Sequence, residues 1–333
     1  MGLFFAGALR NEDGMPLIDK PLGELRTYMG INPRPEDFDA YWDEALAEME
    51  AVDPDIELRL SPFQAPQAEC FDLFFTGVGG SRIHAKYLRP VGCREPRPAV
   101  LQFHGYSIDC GDWVEKLPYT GLGFCVAALD CRGQGGISED LGGVRGNTFK
   151  GQIIRGLDDD PRMFTFRQIF LDTAQLGKIV STFEEVDAER MGAMGASQGG
   201  ALTLACAALF PSIKRAAPIY PFLCDYQRVW EMDLAESAYE ELRTYFRKYD
   251  PLHVRQEEIF TKLGYIDVQH LAPRIQAHVL MGCGLMDKVC PPSTQFAAYN
   301  KIPGQKEMAI YPDFAHETLP GFNDRVFQFL GKL

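Results

Sequence analysis

Five residues, Gly195-Ala196-Ser197-Gln198-Gly199, restrict this chain more than any other stretch. Before them, Val186-Asp-Ala-Glu-Arg-Met-Gly-Ala-Met194 reads as a turn entering a short buried strand. After them, Ala201-Leu-Thr-Leu-Ala-Cys-Ala-Ala-Leu-Phe210 is apolar and helix-forming. A serine between strand and helix, with small residues two before and two after it, is the pattern of a nucleophile elbow. Small residues are needed because the turn is too tight for side chains. The turn lifts the serine hydroxyl clear of the sheet. It also sets the next N–H, that of Gln198, at the positive end of a helix, where it can meet charge developing on an oxygen. The alternative is a glycine-rich strand–helix turn that only packs tightly. The pentapeptide alone does not decide between them; the flanking patterns favour the elbow.

The rest of the chain supplies a sheet for such a turn. The first fifty residues read as helical. Leu22–Tyr28 is a short amphipathic piece, and Pro35–Met49 is a longer one with Phe38, Trp42, Leu46 and Met49 at helical spacing, a face for packing. Strands follow at Ile56–Leu60, Cys70–Thr76 and Ser81–Leu88, the last two flanking an expected hairpin connection, Gly77-Val-Gly-Gly80. His84 lies in an alternating strand and is read as structural. From Pro98 the pattern becomes strand, loop and helix repeated, which predicts a mostly parallel sheet. The strands are Pro98–Phe103, Gly123–Asp130, the elbow strand, Lys214–Tyr220, Gln276–Cys283 and Glu307–Tyr311. Helices are expected over Phe164–Phe183, after the elbow, over Tyr226–Tyr249 and at Phe322–Leu333. The Gly- and Asp-rich stretch 136–163 is expected to be a long loop over the site.

Composition excludes several classes. A net charge of −13 argues against a general nucleic-acid or anionic-membrane surface. The shares of apolar (46%) and charged (24%) residues fit a globular protein, and no apolar run reaches the ~20 residues of a membrane span. Met1–Arg10 lacks the basic region and the apolar length of a signal peptide, and Ala6 stands where myristoylation wants Ser or Thr. The nine cysteines are odd in number and scattered, with no CxxC, so reduced thiols are expected rather than disulfides or a zinc site.

A serine hydroxyl needs a base, and the base needs an acid to hold its tautomer. In the order Ser, then Asp or Glu, then His, each on a loop after a strand, the candidates are Ser197, Asp287 and His316. Asp313 is the rival acid, but it is too near His316 in sequence to approach the far ring nitrogen easily, and Asp130 ends the wrong strand. His104 precedes the serine, His253 and His270 fall in a helical region, and His278 sits inside a strand. The oxyanion donors are expected to be the N–H groups of Gln198 and of Tyr106, in the loop after Pro98–Phe103. Arg132 is read as pinning neighbouring loops. No metal or dinucleotide cofactor is expected, since HExxH, Cys/His clusters and an early GxGxxG are all missing.

Three motifs together, Arg132-Gly133-Gln134, Gly195-Ala196-Ser197-Gln198-Gly199 and His316-Glu317, resemble the signatures of the acetyl xylan esterase / cephalosporin C deacetylase family, carbohydrate esterase family 7. Glu36–Trp42, Pro221–Asp225 and Gly284–Thr294 resemble further segments of it, so the likeness spans nearly the whole chain. The resemblance implies an α/β-hydrolase fold with a mostly parallel central sheet flanked by helices. It carries Ser197, Asp287 and His316 over as the triad, with Tyr106 and Gln198 as oxyanion donors. It implies deacetylation of small acetylated sugars such as xylo-oligosaccharides, and of cephalosporin C, by a cytoplasmic enzyme that forms a ring-like hexamer. The expectation is one domain over 1–333, with an N-terminal helical and hairpin extension over about 1–95 and a helical insertion over about 222–273. The alternatives are a short-chain carboxylesterase or other acyl hydrolase with a non-sugar substrate, and a non-catalytic binding protein on the same fold.

Overall fold

The computed structural model describes residues 18–142 and 152–333. The expectations for Met1–Arg10 and for the middle of the 136–163 loop therefore lie outside the described residues.

Among the described residues nine strands form one sheet: β1 (Glu57–Leu60), β2 (Ala68–Thr76), β3 (Arg82–Pro90), β4 (Arg97–Phe103), β5 (Cys125–Leu129), β6 (Val186–Ala196), β7 (Ile213–Ile219), β8 (His278–Gly284) and β9 (Lys306–Tyr311). Their spatial order is β1-β2-β3-β5-β4-β6-β7-β8-β9. The first three pair antiparallel, and β3 lies antiparallel to β5. From β5 to β9 every pairing is parallel. The N-terminal hairpin thus extends the main sheet.

Helices cover both faces. They are α1 (Leu22–Leu25), α2 (Phe38–Ala51), α3 (Leu117–Gly121), α4 (Thr165–Val180), α5 (Gln198–Leu209), α6 (Tyr226–Glu231), α7 (Glu240–Tyr249), α8 (Gln256–Leu263), α9 (Val268–Leu271), α10 (Pro292–Lys301) and α11 (Phe322–Leu330). Strand alternation sorts the core into two layers. Ala99, Leu101 and Phe103 of β4 point into the layer with α4 and α5, while Val100 points into the one with α11. Strand β5 is buried along its whole length, as a parallel strand covered on both faces must be. Helix α5 is also buried throughout, which explains its apolar sequence on every side. No described helix is long and apolar enough to cross a membrane.

Three local expectations need correction. Leu22–Tyr28 is helical only to Leu25. The stretch Tyr226–Tyr249 breaks into α6 and α7, because Asp233 and Ser237 adopt positive φ (55° and 50°), which ends a helix for residues with a Cβ. Helix α10 was not expected; Pro292 opens it at a position where a missing N–H costs nothing.

The helices between β7 and β8 are tied to the N-terminal segment by buried carboxylates. Asp225 accepts hydrogen bonds from the Tyr28 hydroxyl (2.7 Å) and from the N–H groups of Ile31 (3.0 Å) and Asn32 (2.8 Å). Asp267 in turn accepts the Asp225 N–H, and burial pushes its own carboxyl up to about 7. Arg132, just after β5, holds Asp172 of α4 with two short contacts (2.7 and 2.6 Å) and also reaches the Val78 carbonyl and the Ser81 hydroxyl. The guanidinium is a buried strut between loops, as read from sequence. His84 is likewise structural, held between Asp130 (2.6 Å) and Asp72 (3.0 Å).

Candidate active site

The elbow forms because the end of β4 presses against it. A Cβ on Gly195 would stand 2.5 Å from the Phe103 carbonyl oxygen, and one on Gly199 only 2.0 Å from the same atom. Ser197 itself has φ 58° and ψ −118°, a conformation that a residue with a Cβ avoids. Its backbone is held on both sides. Its N–H donates to the Ile219 carbonyl (2.9 Å), and its carbonyl accepts from Ala201 (3.1 Å) and Phe222 (3.0 Å). Neighbouring strand ends and the helix thus over-determine a strained serine.

Two further strand ends complete the cluster. His316 lies in the loop after β9, and its Nε2 is 3.0 Å from Ser197 Oγ. Its Nδ1 is 2.8 Å from Asp287 Oδ2, in the loop after β8. The other Asp287 oxygen accepts the N–H groups of Val289 and Cys290, both at 2.8 Å. A carboxylate so placed can only accept, so the proton between it and the ring sits on Nδ1, leaving Nε2 to accept from the serine hydroxyl. The two loops brace each other, since the Met286 N–H donates to the Phe314 carbonyl (2.9 Å). The Tyr220 ring packs on the imidazole with centroids 4.6 Å apart. Asp287 is fully buried and His316 partly exposed. The arrangement can move a proton from the serine hydroxyl to the ring while the buried carboxylate stabilises the charged ring.

Gln198 and Tyr106 are the expected oxyanion donors. The N–H of Gln198 opens α5, and that of Tyr106 belongs to the loop after β4; neither donates to a described protein group. The Gln198 side chain is buried and exchanges hydrogen bonds with Gln134, whose Oε1 also accepts the Ser107 N–H at 2.8 Å. Gln134 therefore links the two segments that carry the expected donors. A cavity of about 430 Å³ borders the elbow, lined in part by Phe103, His104, Ile108, Gly195, Ala196 and Ile219.

Ser197, His316 and Asp287 are thus joined by hydrogen bonds, Gln198 follows the serine in the chain, and Tyr106 sets its ring against Phe222, whose N–H donates to the Ser197 carbonyl. Others there were not foreseen. Gln134 was seen only as the neighbour of Arg132. Glu241 of α7 reaches the Tyr106 hydroxyl, although nothing in a heavily charged helix marks it out. Cys290 is fully buried with its thiol against Ser197, and burial pushes that thiol well above its ordinary range. Among the described residues two groups of side chains bring three metal-type donor atoms within 4.8 Å of one another, Asp287–Cys290–His316 and His84–Cys110–Asp130. In both, the histidine and aspartate are already joined by a hydrogen bond.

Comparison with known proteins gives a consistent result. A model of the acetyl xylan esterase family matches residues 15–333. The crystal structure of acetyl xylan esterase 1 from Thermoanaerobacterium sp. JW/SL YS485 is 58% identical, covers 95% of this chain and 99% of its own, and superposes with a TM-score of 0.93. The acetyl xylan esterase of Paenibacillus sp. R4 is 35% identical over 94% of this chain and 99% of its own, with a TM-score of 0.90. Acetyl esterase Axe7A of Xylanibacter ruminicola is 25% identical over 291 residues, which span 85% of this chain and 64% of that relative's length.

Proposed function

The chain belongs to the acetyl xylan esterase family and is a carboxylic ester hydrolase, and on that premise we propose that it removes acetyl groups from small acetylated carbohydrates through an acetyl-enzyme on Ser197. The observation that carries this reading is the line from Ser197 Oγ to His316 Nε2 (3.0 Å) and from His316 Nδ1 to Asp287 (2.8 Å). Ser197 attacks the acetyl carbonyl as His316 takes its proton. The negative oxygen of the tetrahedral intermediate is met by the N–H groups of Gln198 and Tyr106, each donor contributing ~3–4 kcal/mol. His316 then protonates the leaving sugar alkoxide. Water, deprotonated by His316, attacks the acetyl-enzyme and releases acetate.

Substrate class follows from the relatives, two of which are acetyl xylan esterases by name. Acetylated xylo-oligosaccharides are the proposed substrates, with cephalosporin C as a second acetyl ester. Nine unpaired thiols support a reducing, cytoplasmic setting, and the family resemblance supports a hexamer, which light scattering on the eluting protein checks.

The test is a panel of p-nitrophenyl esters from acetyl to octanoyl beside acetylated xylo-oligosaccharide and cephalosporin C. Acetate release from the sugar and the antibiotic, with a peak at acetyl among the aryl esters, supports the proposal. A peak beyond butyryl, or activity on aryl esters alone, replaces it with a short-chain carboxylesterase acting on a non-sugar substrate.

A further inference from the structure

Glu241 lies buried between three separate pieces of chain, with 5% of its surface exposed. One carboxylate oxygen accepts the Tyr106 hydroxyl. The other accepts the N–H groups of Ile153 (2.7 Å) and Ile154 (3.3 Å). The Tyr106 oxygen also accepts the Gln152 N–H at 3.2 Å. The Tyr106 ring stands edge-on to Phe222, with centroids 5.7 Å apart, and Phe222 donates its own N–H to the Ser197 carbonyl.

No cation pairs with Glu241 among the described residues. A buried carboxylate without one is costly, and an apolar side chain of similar volume would fill the space at lower cost. Burial pushes the carboxyl up to about 7, even though the hydrogen bonds from Tyr106, Ile153 and Ile154 pull it down. What a carboxylate does here that an apolar group cannot is grip the phenol. With its ring set against Phe222 and its hydroxyl held twice, Tyr106 has little freedom to turn its backbone. An oxyanion donor needs that rigidity, because a donor that must reorient during the reaction loses most of its effect.

We propose that Glu241 is a positioning residue, which aims the Tyr106 N–H at the oxyanion by holding the Tyr106 hydroxyl. This deepens the reading of Tyr106 as an oxyanion donor and rests on it. It also gives the helices between β7 and β8 a part in the chemistry, since α7 lies outside the sheet that carries Ser197, Asp287 and His316.

The experiment compares wild type, Glu241→Gln, Tyr106→Phe and the double variant, with rates normalised to serines titrated by a fluorophosphonate. Acetyl-ester kcat is expected to fall ~10-fold or more in each single variant while KM stays within about twofold, since the ground-state carbonyl makes less use of the donor. The double variant is expected to be no worse than the poorer single one, because both break the same link. Inhibition by methylboronic acid, whose tetrahedral adduct places an oxygen where the oxyanion forms, weakens in step with kcat. Should Glu241→Gln fail to fold, Tyr106→Phe carries the same test from the other end of the link. A lowered melting temperature with unchanged kcat per titrated serine would overturn the proposal and leave Glu241 a structural residue. Failure of wild type itself to bind methylboronic acid would instead overturn the underlying oxyanion reading.

Discussion

Asp287 faces His316 with one carboxylate oxygen, at 2.8 Å, and gives the other to two amides of its own turn. The acid is fixed by its local chain before it meets the histidine. Asp287→Asn therefore keeps the shape of the loop only with its amide oxygen on those two N–H groups, which turns its NH2 donor toward Nδ1. In the proposed mechanism this leaves the wrong tautomer facing the serine. Turnover of p-nitrophenyl acetate is expected to fall by ~10⁴ with the fold intact by circular dichroism. A loss of less than tenfold would remove Asp287 from the mechanism.

The glycines of the elbow differ sharply from a glycine nearby. A Cβ on Gly199 would meet the Phe103 carbonyl oxygen at 2.0 Å, a backbone atom that cannot swing away. On Gly105 the nearest atom is the end of the Ile108 side chain at 3.6 Å. Gly199→Ala is expected to cost ~3 kcal/mol or more, and Gly105→Ala less than ~1 kcal/mol, in urea unfolding. Equal stability of the two variants would show that the elbow has more room than this packing allows.

Arg132 and Asp172 form a fully enclosed pair, with side-chain exposures of 3% and 0%. Burial pushes the Asp172 carboxyl up, and the guanidinium opposes that shift. Arg132→Met leaves the carboxylate with no counter-charge and is expected to destabilise by ~3–5 kcal/mol. Adding Asp172→Leu is expected to restore most of the loss. If the double variant is no more stable than Arg132→Met, the contacts of Arg132 with Val78 and Ser81 carry the strut, and the ion pair does not.

These positions also show what a sequence can and cannot reveal. The elbow was legible because its constraint is local: strand, small residue, serine, small residue, helix. Asp287 and His316 were legible because the parallel sheet puts successive strand ends, and so their loops, along one edge. Glu241 was not. It is one charge among many in α7, and its burial comes from contacts with residues 106 and 152–154, far away in the chain. Gln134 was hidden for the same reason, because its partners Ser107 and Gln198 come from two other strand ends. Helix α10 was hidden by Pro291-Pro292, a pair that reads as loop until the second proline is seen to start a helix.

His270 of α9 is buried beside the Phe38 ring, and its Nε2 has no hydrogen-bond partner among the described residues. Burial first, then the charges of Lys301 and Arg34, hold its pKa down to about 3. The folded pKa lies below that of the unfolded chain, so the folded state must stay neutral while the unfolded one takes up a proton. Stability from this residue is complete above the unfolded value near ~6.5 and falls as pH drops toward the folded one. Between about pH 7.5 and about pH 5 the loss is ~2 kcal/mol from this group alone. His270→Gln is expected to lose that much less than wild type over the same interval in urea unfolding. Parallel losses in the two proteins would mean that His270 is not the group that titrates.

The most direct test of the central claim is to catch the acetyl group on the enzyme. Wild type mixed with p-nitrophenyl acetate, quenched in acid within one turnover and digested, is expected to yield the peptide containing Ser197 with one acetyl group attached. The acetyl adduct is expected to vanish in Ser197→Ala together with acetate release from acetylated xylo-oligosaccharide. Acetate release that survives Ser197→Ala, or an acetyl group found on another residue, would contradict the account.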